Sequence, residues 1–154
     1  MQVAVWEARD EFPAFDPGIT YVGERDLQLV GATYYTAYDA LSIAVRNAAK
    51  HGRYPGTLWI EASVQDTGTA KVLALRVKSL LKLQDTIDEA LFRVEEAGRA
   101  GPDNADVVEE GSGIRKLQKW RSERRILSFE IHKSGARSDA ICVSFTLPFE
   151  GLVE

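Results

Sequence analysis

The sequence has few of the residues that build disulfides, metal centres or membrane spans. Its 154 residues include one cysteine, Cys142, and two histidines, His51 and His132. A single cysteine excludes an intrachain disulfide, and this set is too small for a typical zinc site. No apolar run approaches the roughly 20 residues of a membrane-spanning helix, and charged residues interrupt the start of the chain, where a signal peptide would lie. We therefore expect a cytoplasmic protein without a membrane partner.

Neither sign of charge dominates the chain. The 23 acidic and 19 basic residues give a net charge of −4, so there is no general attraction to nucleic acid. A basic stretch over 115–125 is interpreted as the solvated face of a helix. The functional alternative is that it contacts phosphate or nucleic acid. We interpret His132 as a surface residue and Cys142 as a buried, unreactive thiol.

Periodic apolar residues predict helices that alternate with hairpins. Residues 34–50 carry an apolar stripe at spacings of three and four, which predicts a helix that ends near Gly52. Residues 57–65 and 72–77 alternate around the turn at Asp66-Thr-Gly68, which predicts a β-hairpin. Further helices are predicted over 85–97 and from Gly113, and further strands are predicted over 27–30, 126–132 and 141–147.

The remaining segments complete the predicted architecture. Prolines at positions 13 and 17 indicate an irregular N-terminal segment over 1–26, and polar residues over 98–112 indicate a long, lid-like loop. We expect one domain over 1–154, which is compatible with a piece of a longer protein. The predicted fold class is α/β (α+β), a two-layer sandwich with a mixed, mainly antiparallel sheet and helices on one face.

The end of the first predicted helix carries the clearest local motif, Arg46-Asn-Ala-Ala-Lys-His-Gly52. It resembles the N-box of the histidine-kinase-like (GHKL) ATPases. In that family the Asn holds Mg²⁺ against the triphosphate, the basic residue lies toward phosphate and the ring lies near the base. The resemblance implies that Asn47 is a metal ligand and that Asn47, Lys50 and His51 bind nucleotide. A carboxamide oxygen is a suitable ligand for Mg²⁺.

A second motif, Gly111-Ser112-Gly113-Ile114, opens the helix that follows the lid-like loop. It is similar to the family's G2 box, which implies that all four residues bind nucleotide. Glycines let backbone approach phosphate, and free N–H groups at a helix start favour anions. The order of motifs and elements over 27–149 follows the family's layout, including a final strand that ends in Leu-Pro.

The sequence departs from the family's pattern at two functional positions. The G1 box, Asp-x-Gly-x-Gly, follows the second strand of the first hairpin, and its Asp binds the adenine amino group. Here that place reads Val77-Lys-Ser-Leu-Leu-Lys-Leu83, without Asp or Gly. The Asp at position 66 lies one strand too early to replace it. Ile43 stands where hydrolysing members carry a Glu base, and isoleucine cannot move a proton. Asp39, one turn earlier, is interpreted as an exposed helix charge.

The resemblance and the departures together leave three functional hypotheses. The first is a degenerate, regulatory or signalling domain of bacterial type that binds ATP weakly or not at all and acts on other domains or a partner protein. The second is an active ATPase or protein kinase in which Asp85 or Asp88 reaches adenine. The third is a protein-interaction domain, or another α/β fold, that uses aromatic residues at 34, 35, 59 and 120. ATP with Mg²⁺ is the cofactor to test, and no catalytic residue is assigned.

Overall fold

The computed structural model describes residues 2–24, 27–82, 87–99, 112–134 and 139–153. The helices are α1 (Gln2–Glu11), α2 (Gly31–His51), α3 (Ile87–Arg99) and α4 (Ser112–Ser122). The strands are β1 (Pro17–Gly23), β2 (Leu27–Leu29), β3 (Gly56–Asp66), β4 (Lys71–Leu80), β5 (Ser128–Lys133), β6 (Ala140–Pro148) and β7 (Gly151–Val153). None of the helices in these ranges combines the length and apolar character that crossing a membrane requires.

Five strands form one mixed sheet in the order β1-β3-β4-β6-β5. β1 pairs with β3 in parallel, and the other three pairings are antiparallel. The short strands β2 and β7 pair antiparallel with each other. This architecture confirms the predicted fold class, the predicted hairpin of β3 and β4, and the predicted helix now seen as α2.

The core lies between the helices and one face of the sheet. Ile60 pairs with Val77, and Val77 pairs with Val143, so these three apolar side chains share that face. From the helical layer, Leu41 and Leu117 are buried against them. The opposite face carries polar residues. There Glu61 contacts Lys78 and Arg76.

The expectation of an irregular segment over 1–26 is wrong. Residues 2–11 form α1, and 17–23 form β1. The side chains of Val5 and Ala8 are 1% and 0% exposed, which shows that tertiary packing organises a weakly patterned segment. Both prolines are compatible with this structure, since Pro13 follows the helix and Pro17 begins an edge strand that needs no amide donor there.

The predicted lid-like loop over 98–112 is too long at both ends. α3 continues to Arg99, whose Nη1 lies 2.6 Å from Oε1 of Glu96, and α4 already begins at Ser112. Residues 100–111, which carry the rest of this prediction, lie outside the described ranges. The predicted strand over 126–132 also begins later, at Ser128.

Candidate functional site

The C-terminal end of α2 carries the residues of the first motif. Ala44 and Ala48 face the core, which leaves Asn47 half-buried at the margin of the apolar stripe and Lys50 exposed. The amide of Gly52 donates to the carbonyl of Ala48 at 2.7 Å and closes the helix. A Cβ atom at Gly52 would lie 2.4 Å from that carbonyl oxygen, so only glycine fits at this point of the chain.

The segment that follows β4 is bonded to this helix end. The ammonium of Lys82 donates to the carbonyl of Lys50 at 2.8 Å, and the Lys82 amide donates to the carbonyl of His51 at 3.3 Å. The amide of Arg53 donates to the carbonyl of Leu80 at 2.9 Å. The place that corresponds, by the resemblance, to the G1 box is therefore adjacent to the end of α2. Nothing in the sequence pattern indicated this role of Lys82.

A buried leucine occupies the position directly after β4. Leu81 is 3% exposed and packs with Leu91 and Ile141. Its amide donates to the carbonyl of Asp139 at 2.8 Å, and the carboxylate of Asp139 lies 3.1 Å from the Arg53 guanidinium. Apolar packing and backbone hydrogen bonds thus hold Leu81 in this position. Its aliphatic side chain has no carboxylate that could accept a hydrogen bond from adenine.

The two acidic residues proposed as substitutes for the adenine acceptor differ in their placement. Asp85 lies outside the described residues. Asp88 lies in the first turn of α3, and its carboxylate is 3.1 Å from the ammonium of Lys133 on β5. An ion pair with β5 already engages this carboxylate.

The second motif packs directly onto α2. A Cβ atom at Gly113 would lie 2.8 Å from Cγ2 of Ile43, so the start of α4 touches α2 one turn before Asn47. The structure thus brings the described parts of the two motifs to neighbouring positions on two helices. It also gives Ile43 a packing role, in a position that the sequence pattern marked only by a missing acid.

The other residues of the second motif differ in what they can offer a ligand. Ser112 is the first residue of α4, and Gly111 lies outside the described residues. Ile114 is 7% exposed, so any contact to a ligand must come from its backbone N–H. The first turn of α4 contains no acidic residue, so no carboxylate there opposes an anion.

The residues present fit a Mg²⁺ ion only when the ion also has phosphate and water ligands. Among the described residues there is no group of three or more His, Cys, Asp or Glu side chains that could hold a metal. Mg²⁺ commonly takes one or two protein ligands and fills its octahedron with phosphate oxygens and waters. One amide oxygen from Asn47 suits that pattern, and half-exposed Asp39 lies two turns earlier on α2.

Four further sequence interpretations can be compared with the structure. The turn at Asp66 caps the far end of the β3–β4 hairpin, where the amide of Gly68 donates to its carboxylate at 2.7 Å. His132 is exposed on β5, and Cys142 is 1% exposed on β6. The basic residues over 115–125 are exposed as expected, except for Arg115, which is 7% exposed.

The aromatic residues named for an interface divide into two groups. Trp59 and Trp120 are half-buried, and the Trp120 ring lies 4.6 Å below the guanidinium carbon of Arg125. Tyr34 and Tyr35 are 50% and 67% exposed at the start of α2. Of these four residues, the two tyrosines are therefore the more open to a partner.

Comparison with known proteins finds a relative and solved structures among the histidine kinases. No family model matches the chain. The chain is 32% identical over 139 residues to the Detocs histidine-protein kinase DtcA of Vibrio alginolyticus, a match that covers 90% of this chain and 14% of that kinase. The mycobacterial sensor histidine kinase MprB superposes with a TM-score of 0.62 at 13% identity, covering 98% of this chain and 93% of that one.

Two further solved structures share the fold. Full-length ShkA in complex with AMPPNP gives a TM-score of 0.59 at 13% identity, and the match covers 99% of this chain and 31% of that one. The histidine kinase domain of the blue-light-activated kinase EL346 from Erythrobacter litoralis gives 0.57 at 13% identity, with 94% and 57% covered. The chain thus spans about one seventh of the length of the curated kinase that it matches.

Proposed function

This chain belongs to the histidine-kinase-like (GHKL) ATPase domains, and we propose that it is a regulatory module of a larger cytoplasmic signalling protein, with weak nucleotide binding that does not discriminate between bases. Its partners are then other domains of that protein or a separate protein. The observation that carries this proposal is Leu81, which is buried where the base-binding segment of the family would begin.

The chain lacks the residue with which the family recognises the adenine base. The family's Asp accepts a hydrogen bond from adenine, whereas Leu81 and Lys82 use their hydrogen bonds on Asp139 and on the end of α2. A hydrogen bond of this kind contributes on the order of 1 kcal/mol, and more when a charged group takes part. Each 1.4 kcal/mol corresponds to about tenfold in affinity.

The chain keeps residues of the types with which the family binds phosphate. Asn47 and Lys50 lie at the exposed margin and end of α2, and the N-terminal end of α4 packs beside the same helix at Gly113. The ammonium of Lys50 and free amides at a helix start both favour phosphate, and neither distinguishes one base from another. Asn47 would hold Mg²⁺, and the ion would offset the negative charge of the phosphates.

Calorimetric titration with ATP, ADP and GTP, with and without Mg²⁺, tests this function. We expect ATP and GTP affinities within about tenfold of each other, because no described residue reads the base. Asn47→Ala should remove the Mg²⁺ dependence, and Lys50→Ala should weaken every nucleotide. Lys71→Ala is the matched control, because Lys71 is exposed at the far end of the sheet. Tight binding with a strong preference for ATP would contradict the proposal.

An active protein kinase is the second candidate function. The 32% identity to a chain named a histidine-protein kinase favours it. The two candidates differ in the rate of ATP turnover that they predict. Ile43 is covered by Gly113 and cannot act as a base, which favours a low rate. We expect ATP turnover near background. A robust steady-state rate that is lost in Asn47→Ala would favour the active kinase, with Asp85 then the first residue to test as the adenine acceptor.

A further inference from the structure

The first two turns of α1 and α2 leave four large apolar side chains exposed. Val3 and Trp6 are 49% and 58% exposed, and Tyr34 and Tyr35 are 50% and 67% exposed. The two tyrosine rings contact each other edge to face, with centroids 5.3 Å apart. We call these four residues the aromatic surface. Single exposed apolar residues are ordinary in soluble proteins, but a contiguous group marks an interaction site.

The contacts between α1 and α2 indicate that the four residues lie close together. The hydroxyl of Tyr38 donates to Glu7, which raises the pKa of Tyr38, and Nε of Arg46 lies 3.0 Å from Oε2 of Glu11. The later residue of α1, Glu11, contacts the later residue of α2, Arg46, so the two helices run in the same direction. Val3 lies one turn before Glu7, and Tyr34 lies one turn before Tyr38. Residues one turn apart share a helix face, which indicates that Val3 and Tyr34 lie on adjoining sides of the two helices.

α1 has apolar side chains on two of its sides. Val5 and Ala8 are buried against the rest of the domain, while Val3 and Trp6 point away from it. A helix that faces one core and otherwise meets water is apolar along a single stripe. A second apolar side therefore indicates that another element covers α1.

The charges beside the aromatic surface indicate what covers it. Asp10 follows Trp6 by one turn, and Asp39 follows Tyr35 by one turn. The structure gives neither carboxylate an ion-pair partner among the described side chains. The two arginines nearby are engaged, Arg9 with Asp16 at 3.5 Å and Arg46 with Glu11. The rim of the surface is therefore acidic.

We propose that the aromatic surface docks an amphipathic helix whose apolar stripe is flanked by lysine or arginine. The aromatic rings supply rigid apolar anchors, and the acidic rim pairs with the basic flanks. Along α2, Tyr35 and Asn47 are separated by about 18 Å at 1.5 Å per residue. The docking surface is thus distinct from the phosphate-binding end of the same helix and does not depend on the proposed nucleotide chemistry.

A designed peptide provides the test. The probe is a fluorescent helical peptide of about five turns with leucines at i, i+3, i+4 and i+7 and flanking lysines, and its matched partner carries glutamate in place of every lysine. Anisotropy titrations compare the wild type, Tyr35→Ser, the Trp6→Ser/Tyr35→Ser pair and Asp10→Asn/Asp39→Asn. The control is Phe92→Ser, which removes a 58% exposed ring on α3. Circular dichroism verifies that each variant is folded.

We expect the lysine peptide to bind at least about tenfold more tightly than the glutamate peptide, with the difference shrinking as salt screens the pairs. Tyr35→Ser should weaken it severalfold and the Trp6/Tyr35 pair at least tenfold. Asp10→Asn/Asp39→Asn should abolish the preference for lysine, and Phe92→Ser should change nothing. Absence of saturable binding, equal binding of both peptides or equal loss in Phe92→Ser would overturn the proposal. Wild-type dimers in sedimentation that dissociate in Tyr35→Ser would also overturn it, because the occupant would then be a second copy.

Discussion

Gly113 and Ile43 touch so closely that a Cβ atom at Gly113 would lie 2.8 Å from Cγ2 of Ile43. Ile43 is β-branched and sits on a helix, so its Cγ2 cannot swing away without a change of rotamer. The absence of a side chain at residue 113 therefore sets the distance between α4 and α2. A change at Gly113 alters packing as well as any ligand contact.

Gly113→Ala should lower the free energy of unfolding by about 1–3 kcal/mol, the usual cost of an added methyl group in a packed interface. The penalty should shrink in an Ile43→Ala background, where the added methyl group has room. Urea denaturation of the four proteins in this double-mutant cycle measures the coupling. Gly18→Ala is the control, since its nearest neighbour would be 3.9 Å away. Equal penalties in both backgrounds would show that the contact with Ile43 is not the cause.

Gly23→Ala should destabilise the fold much more than Gly68→Ala. Both residues have positive φ, +93° and +81°, but a Cβ at Gly23 would lie 2.0 Å from the carbonyl oxygen of Ala62, whereas Gly68 has open space around it. Backbone strain alone costs about 1–2 kcal/mol, so thermal denaturation should show that loss for Gly68→Ala and a clearly larger one for Gly23→Ala. Similar losses in the two variants would assign the whole effect to strain.

Glu61 should contribute stability that disappears in acid. A hydrogen bond from Lys78 holds the pKa of Glu61 below its ordinary value, with a further contribution from Arg76. The folded state therefore binds the Glu61 proton less readily than the unfolded chain does. The resulting stability is present above the unfolded pKa of about 4.3 and is lost as pH falls through the folded pKa.

Glu61→Gln, denatured with urea from pH 7 to pH 3, measures that contribution. The variant should be less stable than the wild type at pH 7 by on the order of 1 kcal/mol, and the difference should shrink as the pH falls below about 4. Glu130→Gln on the same sheet face is the control, because Glu130 is exposed. A difference that is constant across this pH range would exclude the ion pair as its source.

Cys142 should react with thiol reagents only after the protein opens. Burial raises the pKa of its thiol, and the residue is 1% exposed. The thiolate is the reactive form, so both effects slow the reaction. Labelling by a disulfide reagent at pH 8 should be slow in the native protein and fast in denaturant. Rapid native labelling would show that β6 opens locally at this position.

The sequence alone was sufficient to predict those helices and strands whose own residues show an apolar stripe or an apolar alternation. The stripe of α2 and the alternation of β3, β4 and β6 arise from burial of one face, and each of these elements was predicted. α1 and β1 were not predicted, because contacts with α2 and β3 stabilise them against a weak local preference.

The candidate site shows the same division. The family resemblance implied that Asn47 and Gly113 belong to one site, and the contact of Gly113 with Ile43 places the two residues on adjoining helices. The bonds from Lys82 to the end of α2 and the ion pair of Arg53 with Asp139 join residues distant in sequence. No local period encodes contacts of that kind, so they could be seen only in the folded chain.

The hydrogen bond from Lys82 to the last turn of α2 also sets the electrostatic potential at that end. Aligned peptide dipoles give the C-terminal end of a helix a partial negative charge of roughly half an electron, which repels anions. The ammonium of Lys82, 2.8 Å from the carbonyl oxygen of Lys50, offsets that charge where it is concentrated. An anion that approaches Lys50 therefore meets a neutralised helix end, and acetylation of Lys82 would restore the repulsion without any change in Asn47 or Lys50.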